Sequence, residues 1–227
     1  MGPVCCVAEF VAHPFITEHM LFYGRGVPRP RIHDLDLALD AAEALAVSAG
    51  PAAVTIRAVA AATGMSNGAL YHSFGSRGEL VGRTWIRAAH RFLALQAELV
   101  AAATDPVEAV LAAAGAPAVF AQTYPASTQL FFRIRRDDLL GGELPEPLRT
   151  ELTGTQTTLV ELMKTLARGL WDRADAAAVD TMTLCLVDLP TAILLDRDRL
   201  TTPLASRQLR AAVHAILDLG PAPARRR

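Results

Sequence analysis

The chain has 227 residues, 52% of them hydrophobic, and a formal net charge of -1 at pH 7. This length is enough for one large core or two modest domains, and so high an apolar content excludes a chain that is disordered throughout. Because the charges nearly balance, any surface that binds nucleic acid must be local.

The three cysteines, Cys5, Cys6 and Cys185, form neither a CxxC pair nor a Cys/His spacing typical of metal sites. We therefore expect no metal, no cofactor and a reducing, cytoplasmic environment. No apolar run in the sequence reaches the roughly 18 residues of a membrane span, so no membrane partner is expected. The sequence also lacks the motifs of zinc peptidases, serine hydrolases and nucleotide-binding enzymes, and we assign no catalytic residue.

Residues 1–31 are predicted to form an N-terminal extension. Either residues 1–24 are a mobile segment without sustained periodicity, or translation begins further in, for example at Met20. Arg25, Arg29 and Arg31 follow, interleaved with glycine and proline. That pattern is typical of an extended basic arm rather than of a helix.

Residues 32–80 are predicted to form a three-helix domain. The first helix is expected to begin near Asp34 or Asp36, either of which can cap it, and to end at Gly50-Pro51.

Two short helices follow, and their caps are visible in the sequence. Thr55 caps the second helix, which Gly64 ends, and Ser66 caps the third only two residues later. Leu70 and Phe74 form an apolar i, i+4 pair on the third helix. Two short helices joined by a glycine-containing turn are typical of a helix-turn-helix.

Residues 81–220 are predicted to form a larger helical domain, followed by a frayed tail over 221–227. The capping box Ser76-Arg77-Gly78-Glu79 begins a long helix that ends at about Ala102. A proline at position 190 implies a kink or break in an otherwise helical segment. Further helices are predicted over about 106–122, 126–137, 146–171, 175–196 and 204–219. No strand pattern competes, so the predicted fold class is all-α.

The segment from Thr55 to Leu80 reads TIRAVAAATGMSNGALYHSFGSRGEL. It resembles the DNA-binding motif of the TetR/AcrR family in its central Val-Ala, its Gly-Met-Ser turn, its Gly-Ala-Leu-Tyr-His followed by Phe, and its Ser-Arg before Glu-Leu. The resemblance implies a ligand-responsive transcriptional regulator, expected to be a repressor. Such a protein binds a pseudo-palindromic DNA operator as a homodimer and is released by a small-molecule effector that binds the C-terminal helices.

The resemblance also implies which residues meet DNA. The recognition helix, 66–74, is expected in the major groove, where Asn67 suits two hydrogen bonds to adenine and Gly68 permits close approach of the backbone. Tyr71 and His72 are expected to reach phosphates with their polar tips. The full expected set is Thr55, Arg57, Ser66, Asn67, Gly68, Ala69, Tyr71, His72 and Arg77.

Charge near the motif is locally positive. Between positions 55 and 91 there are five arginines and a single acid, Glu79, which is a local charge of +4. Phosphate binding needs such a patch. Arg83, Arg87 and Arg91 lie further along the long helix, and they form either part of that patch or an ordinary solvated face.

Two positions depart from the family pattern. Asn67 stands where many relatives carry lysine or arginine, and Ser73 stands where many carry an aromatic residue; both differences weaken the expected grip on phosphate. The arm arginines either compensate in the minor groove, as arms do in other helix-turn-helix proteins, or belong to a simple linker.

Large or soft side chains of the C-terminal helices are the candidates for an effector pocket, with ordinary core packing as the alternative for each. Gln156 and His214 are polar residues that could orient a ligand or could simply be solvated. The pocket candidates are Phe120, Tyr124, Phe131, Phe132, Met163, Trp171, Met182 and Cys185.

The last two helices carry apolar residues on more than one face and must be buried on more than one side. The partner is either the same subunit or a second copy, and we favour the dimer because two recognition helices must be held about one DNA turn apart. The predicted interface comprises Val179, Met182, Leu186, Leu189, Ile193, Leu209, Val213 and Ile216.

Two other functions fit the composition. One is a helical ligand-binding or scaffold protein whose helix-turn-helix is inactive, which the missing basic residue at position 67 would favour. The other is an all-helical enzyme without a recognisable motif.

Overall fold

The computed structural model describes residues 32–140, 142 and 144–223, and within them the expected all-α class is confirmed. Residues 1–31, with the three arm arginines, and residues 224–227 of the predicted tail lie outside the described residues. The helices are α1 (Ile32–Ala49), α2 (Ile56–Thr63), α3 (Asn67–Phe74), α4 (Arg77–Ala101), α5 (Pro106–Thr123), α6 (Pro125–Arg133), α7 (Arg136–Leu140), α8 (Glu146–Trp171), α9 (Ala176–Thr183, continuing to Leu195) and α10 (Pro203–Leu219).

The caps of the helix-turn-helix form as the sequence predicts. The hydroxyl of Thr55 accepts a hydrogen bond from the amide of Ala58 (3.1 Å), and that of Ser66 accepts one from Ala69 (3.1 Å). Gly64 ends α2 with a φ of 73°, in the left-handed region that favours glycine. The first helix differs from the prediction, because its described part already starts at Ile32, so Asp34 and Asp36 lie within the helix rather than at its cap.

The start of α4 contains half of the predicted capping box. The hydroxyl of Ser76 accepts a hydrogen bond from the amide of Glu79 at 3.0 Å. The carboxylate of Glu79 does not return the bond to Ser76; instead it accepts from Arg83 Nε (3.0 Å) and Nη2 (2.7 Å). An i, i+4 ion pair therefore replaces the second bond of the box.

Two large apolar clusters hold the fold together. In the first, Leu70 and Phe74 of α3 are fully buried together with residues of α1, α2 and α4, and Leu130 of α6 and Leu148 of α8 belong to the same cluster. The core of the helix-turn-helix therefore continues into the C-terminal helices without a polar gap.

The second cluster joins α5, α8, α9 and α10 and contains half of the predicted dimer residues. Met182, Leu186, Leu209 and Val213 are at most 5% exposed inside a single subunit. Their side chains face the subunit's own core and have no surface to offer a partner. Leu189, Ile193 and Ile216 are only partly buried against this cluster, and Val179 is also partly buried.

Pro190 neither breaks nor ends α9. Turns with the wider π-type spacing, Leu184–Asp188 and Thr191–Leu195, lie on either side of it and carry the helix on to Leu195. The amide of Leu189, for example, donates to the carbonyl of Leu184, five residues earlier. Proline has no backbone N–H to donate, and wider turns of this kind allow the helix to continue without that hydrogen bond.

The expectation that no segment reaches membrane-span length needs correction. Residues Ala176–Leu195 form a 20-residue helix with a mean hydropathy of 1.6, which is long and apolar enough by those criteria alone. The core helix of a soluble protein passes the same test, and Met182, Cys185 and Leu194 of this helix are fully buried within the subunit.

Candidate DNA-binding surface and ligand cavity

The third helix presents one polar face to solvent. Asn67, Gly68, Tyr71 and His72 are exposed, whereas Leu70 and Phe74 are buried beneath them. The exposed residues are paired at i, i+4 and form one continuous strip. Within the described residues the side chains of Asn67, Tyr71 and His72 make no hydrogen bond, so their polar groups are free for another molecule.

The other predicted contacts surround this strip. The hydroxyls of Thr55 and Ser66 accept the hydrogen bonds that cap α2 and α3. Ala69 is half-buried beside the strip. Arg57 is exposed on α2 and has no partner within the described part of the chain. It is therefore a free cation next to α3.

Arg77 is exposed at the start of α4, but its guanidinium already has acceptors. Its Nε donates to the carbonyl of Val54 (2.7 Å), and its Nη2 donates to that of Pro51 (3.1 Å). These bonds tie α4 to the single 3-10 turn, Pro51–Ala53, between α1 and α2. Arg77 therefore positions the helix-turn-helix, and a phosphate contact by this residue stays a prediction.

The local charge of +4 counted from the sequence is largely neutralised in space. Arg83 pairs with Glu79 at 2.7 Å, Arg87 Nη2 lies 2.8 Å from Asp40, and Arg91 lies 3.1 Å from Glu43. Asp40 and Glu43 belong to α1, outside the segment in which the charges were counted. Arg83, Arg87 and Arg91 therefore do not form a free phosphate-binding patch.

Comparison with known proteins agrees with this geometry. Residues 38–84 match the family model of bacterial regulatory proteins, tetR family. This range spans the helix-turn-helix and the first turns of α4. No curated protein matches the chain by sequence.

Solved structures share the fold of most of the chain. A TetR-family transcriptional regulator from Streptomyces coelicolor has a TM-score of 0.60 at 17% identity, over 82% of this chain and 98% of that chain. The ketosteroid transcriptional regulator KstR2 of Mycobacterium tuberculosis has a TM-score of 0.59 at 16% identity, over 86% of this chain and 98% of that chain. The fatty acid degradation regulator FadR from Bacillus halodurans has a TM-score of 0.56 at 16% identity, over 80% of this chain and 96% of that chain.

Residues 38–84 thus match the DNA-binding domain of the tetR family, and the described chain shares its fold with transcriptional regulators of that family. The C-terminal helices form a cavity of about 360 Å³, open to solvent on one side, with wall residues from α4, α5, α6, α7, α8 and α9. A neighbouring hollow of about 300 Å³ has six wall residues in common with it: Trp85, Phe92, Phe131, Arg135, Arg136 and Leu159. Because the two share so much wall, we treat them as lobes of one ligand cavity.

Aromatic rings line much of the ligand cavity. The ring of Phe131 lies 5.1 Å from that of Trp85 and 5.3 Å from that of Phe92, measured between centroids. The indole Nε1 of Trp85 donates to the carbonyls of Phe131 (3.2 Å) and Ile134 (3.0 Å). These bonds fix one wall of the ligand cavity against α4.

Of the predicted pocket residues, Phe131 and Phe132 line the ligand cavity. Phe120 is fully buried with its ring 5.5 Å from that of Phe92, and Tyr124 stacks on Phe120. Both therefore lie behind the wall. The remaining candidates pack in or against the second apolar cluster: Met163, Trp171, Met182 and Cys185.

Burial also governs the chemistry of Cys185. Desolvation in the core raises the pKa of its thiol to about 11, from an ordinary value near 9.0. The thiol therefore stays protonated and unreactive at neutral pH.

The two polar candidates for ligand contacts, Gln156 and His214, lie in different parts of the structure. Gln156 lines the smaller lobe of the ligand cavity and accepts a hydrogen bond of 2.8 Å from Arg136 Nη1. His214 is exposed on α10 and lies 3.2 Å from Asp218. Gln156 is therefore placed to meet a ligand, and His214 is not.

The sequence did not single out several wall residues, including Trp85, Phe92, Gln96, Pro117 and Arg135. Pro117 is the one with a local signal, because a proline inside a helix leaves the carbonyl four residues earlier without its usual donor. That carbonyl belongs to Ala113, and it accepts a hydrogen bond from Gln96 Nε2 at 3.0 Å.

Proposed function

We propose that this protein is a cytoplasmic transcriptional repressor of the TetR family that binds a pseudo-palindromic operator as a homodimer and is released by a small-molecule effector. This proposal is supported above all by the exposed strip of α3, formed by Asn67, Gly68, Tyr71 and His72. The side chains of Asn67, Tyr71 and His72 make no hydrogen bond to the described residues. In a helix-turn-helix, such a strip enters the major groove. Asn67 then reads a base edge, and Tyr71, His72 and Arg57 contact phosphates.

The fourth helix supplies the connection between operator and effector. It begins at Arg77, which holds the turn before α2, and its later turns contribute Trp85, Phe92 and Gln96 to the ligand cavity. An effector that binds one position of α4 better than another would shift the dimer between two spacings of its recognition helices. Release of DNA follows when the favoured spacing no longer matches the operator.

The apolar character of the cavity supports an apolar effector. One protein of the same fold is named a ketosteroid transcriptional regulator, and another is named a fatty acid degradation regulator. The cavity of this chain is lined by aromatic and aliphatic side chains with few polar groups. We propose a hydrophobic metabolite of comparable character as its effector.

The test is operator binding measured by fluorescence anisotropy. A duplex is selected from a random-sequence library with the purified protein, and its affinity is compared with that of a scrambled duplex from about 50 to 200 mM salt. We expect the selected duplex to bind more tightly, with an affinity that falls steeply as salt rises. Tyr71→Ala should weaken binding at least about tenfold.

A pair of arginine variants sharpens the test. Arg57→Gln should reduce the slope of affinity against salt by about one, because one phosphate contact is lost. Arg133→Gln, which removes an exposed arginine on α6, should leave the slope unchanged. If selection yields no preferred sequence and both duplexes bind equally weakly, the helix-turn-helix is inactive and the ligand-binding or scaffold function replaces the proposal.

A further inference from the structure

We propose that the ligand cavity binds a compact hydroxylated carboxylic acid: an apolar ring body, a hydroxyl group held by Gln96 and a carboxylate held by Arg135. The inference rests on the proposed function, since it names the chemical class of the effector. It draws on three features of the wall, namely the fixed amide of Gln96, the aromatic lining and the free guanidinium of Arg135.

The first feature begins with Pro117. Its missing N–H leaves the carbonyl of Ala113, one turn earlier in α5, without a helical donor. Gln96 Nε2 supplies the donor at 3.0 Å. This bond decides which way the amide faces, because the reversed amide would set two acceptor oxygens against each other.

The orientation of the amide leaves Gln96 Oε1 without a partner. Gln96 is only 1% exposed, and no group within the described residues donates to this oxygen. A buried acceptor that stays unpaired costs roughly 1–3 kcal/mol. Gln96 belongs to the cavity wall, but its Oε1 is closed off from solvent, so a ligand hydroxyl group reaches this oxygen only by displacing the side chains that cover it. A hydroxyl group that does so donates to Oε1 and removes the penalty.

The second feature sets the body of the ligand. Trp85, Phe92 and Phe131 stand in both lobes of the cavity, and Leu159 completes the shared wall. The larger lobe holds about 360 Å³, near the lower end of the range for small-molecule sites. A flat, compact ring system fits this volume and stacks on aromatic walls.

The third feature is a free positive charge where the two lobes meet. Arg135 is exposed, lines both lobes and has no side-chain partner within the described part of the chain. Arg136 beside it is already engaged with Gln156 (2.8 Å) and lies 3.4 Å from Asp137. Arg135 is therefore the group available to a carboxylate, which its planar fork can bind through two hydrogen bonds.

The experiment is isothermal titration calorimetry of the full chain, without DNA, against three probes. Hydroxynaphthoic acid carries all three proposed features, naphthoic acid lacks the hydroxyl, and naphthol lacks the carboxylate. We expect hydroxynaphthoic acid to bind about tenfold more tightly than either of the others, the effect of one well-made hydrogen bond or ion pair in a partly closed site.

Variants assign each preference to its residue. Gln96→Met keeps the size of the side chain. It should reduce the ratio of the affinities for hydroxynaphthoic acid and naphthoic acid to about one, while the ratio for hydroxynaphthoic acid and naphthol stays the same. Arg135→Gln should do the reverse. Arg133→Gln, a neighbouring arginine that is not among the wall residues, should change neither ratio.

The inference is overturned if none of the probes binds up to millimolar concentration, or if the three bind alike. It is also overturned if either preference survives the loss of its assigned residue. Ratios between ligands on the same variant are insensitive to a small loss of stability. Because the titrations contain no DNA, a failure of operator binding would leave this result intact, and the two proposals can fail separately.

Discussion

Gly68 is exposed in α3, and nothing inside the subunit requires a glycine there. A Cβ built at this position would meet only the hydroxyl of Ser66, at 3.9 Å. A glycine within a helix costs up to about 1 kcal/mol relative to alanine, because the unfolded chain gives up more freedom. The third helix thus keeps a destabilising residue in the middle of its exposed strip, as expected where the DNA backbone must come close.

We therefore predict opposite effects of Gly68→Ala on stability and on function. The free energy of unfolding should rise by up to about 1 kcal/mol, while operator affinity should fall about tenfold because the new methyl group meets DNA. Urea denaturation and anisotropy measure the two quantities. Gly154→Ala is the matched control, since Gly154 is exposed in α8 with no heavy atom within 4 Å. It should gain stability without losing affinity; a Gly68→Ala variant that binds as tightly as wild type would refute the argument.

At the scale of helices, Glu43 connects three elements. It is 4% exposed on α1, its Oε1 lies 3.0 Å from Arg87 Nη2, and its Oε2 lies 3.1 Å from Arg91 Nη1, both on α4. The contact with Arg87 is an ion pair rather than a well-directed hydrogen bond. Arg91 also donates to Ser127 on α6 at 3.0 Å and lies over the ring of Tyr124. The DNA-binding helices are thereby joined to the helix that carries Phe131 of the cavity wall.

Breaking this network should cost far more than breaking a surface pair. Glu43→Gln leaves Arg91 with no carboxylate and should lower the free energy of unfolding by about 2–4 kcal/mol. Glu108→Gln, which breaks the exposed pair with Arg210, should cost less than about 1 kcal/mol. Chemical denaturation of the two variants side by side gives the comparison. Equal losses would show that the network at Glu43 stabilises the protein no more than a surface ion pair does.

The helices that the sequence predicts best are those whose ends depend on neighbouring residues. Caps such as Thr55, Ser66 and Ser76 act within three residues, and α8 begins and ends where the local pattern places it. The predicted helix over 126–137 is instead divided at Ile134 into α6 and α7. The indole of Trp85, 49 residues away, binds the carbonyl of Ile134, a contact without a local signature.

The two candidate sites differ in the same respect, because one depends on neighbouring residues and the other on contacts between distant helices. The exposed strip of α3 follows from an eight-residue helix with two buried positions, so a sequence can reveal it. The wall residues of the ligand cavity come from six helices, so no single stretch of sequence reveals them. Choosing large or soft side chains as candidates selected Met163 and Met182, which are buried in the core instead. Of the two alternatives left open for Arg83, Arg87 and Arg91, the phosphate-binding patch is not supported, because Asp40 and Glu43 of α1 pair with Arg87 and Arg91. A count of charges along one segment leaves out acids that approach from another helix.

At the scale of the whole molecule, α9 and α10 carry apolar surface that the described residues of one subunit leave exposed. Only 33% of the apolar window in Ala176–Leu195 is buried within the chain, although its mean hydropathy is 1.6. Leu184 on α9 is 38% exposed, and on α10 Leu204 and Leu219 are 54% and 85% exposed. The exposed alanines Ala211 and Ala215 lie on the same face of α10 at i, i+4 spacing. A second copy that presents the same face would cover this apolar surface. Ala211 and Ala215 would then lie at the contact, where small side chains allow two helices to approach closely.

The proposed dimer thus uses the outer faces of α9 and α10, where Val179, Leu189, Ile193 and Ile216 are partly buried. We predict that Leu184→Arg and Ala215→Arg each convert the protein to a monomer in sedimentation velocity, because each places a charge in an apolar contact. Operator affinity should fall at least about a hundredfold, since one recognition helix then binds without its partner one DNA turn away. Ala97→Arg, at an exposed alanine of α4, is the matched control and should remain a dimer with unchanged affinity. If the α9 and α10 variants stay dimeric, the two-fold contact lies on another face, and the apolar surface of α9 must be covered by something other than a second copy of this chain.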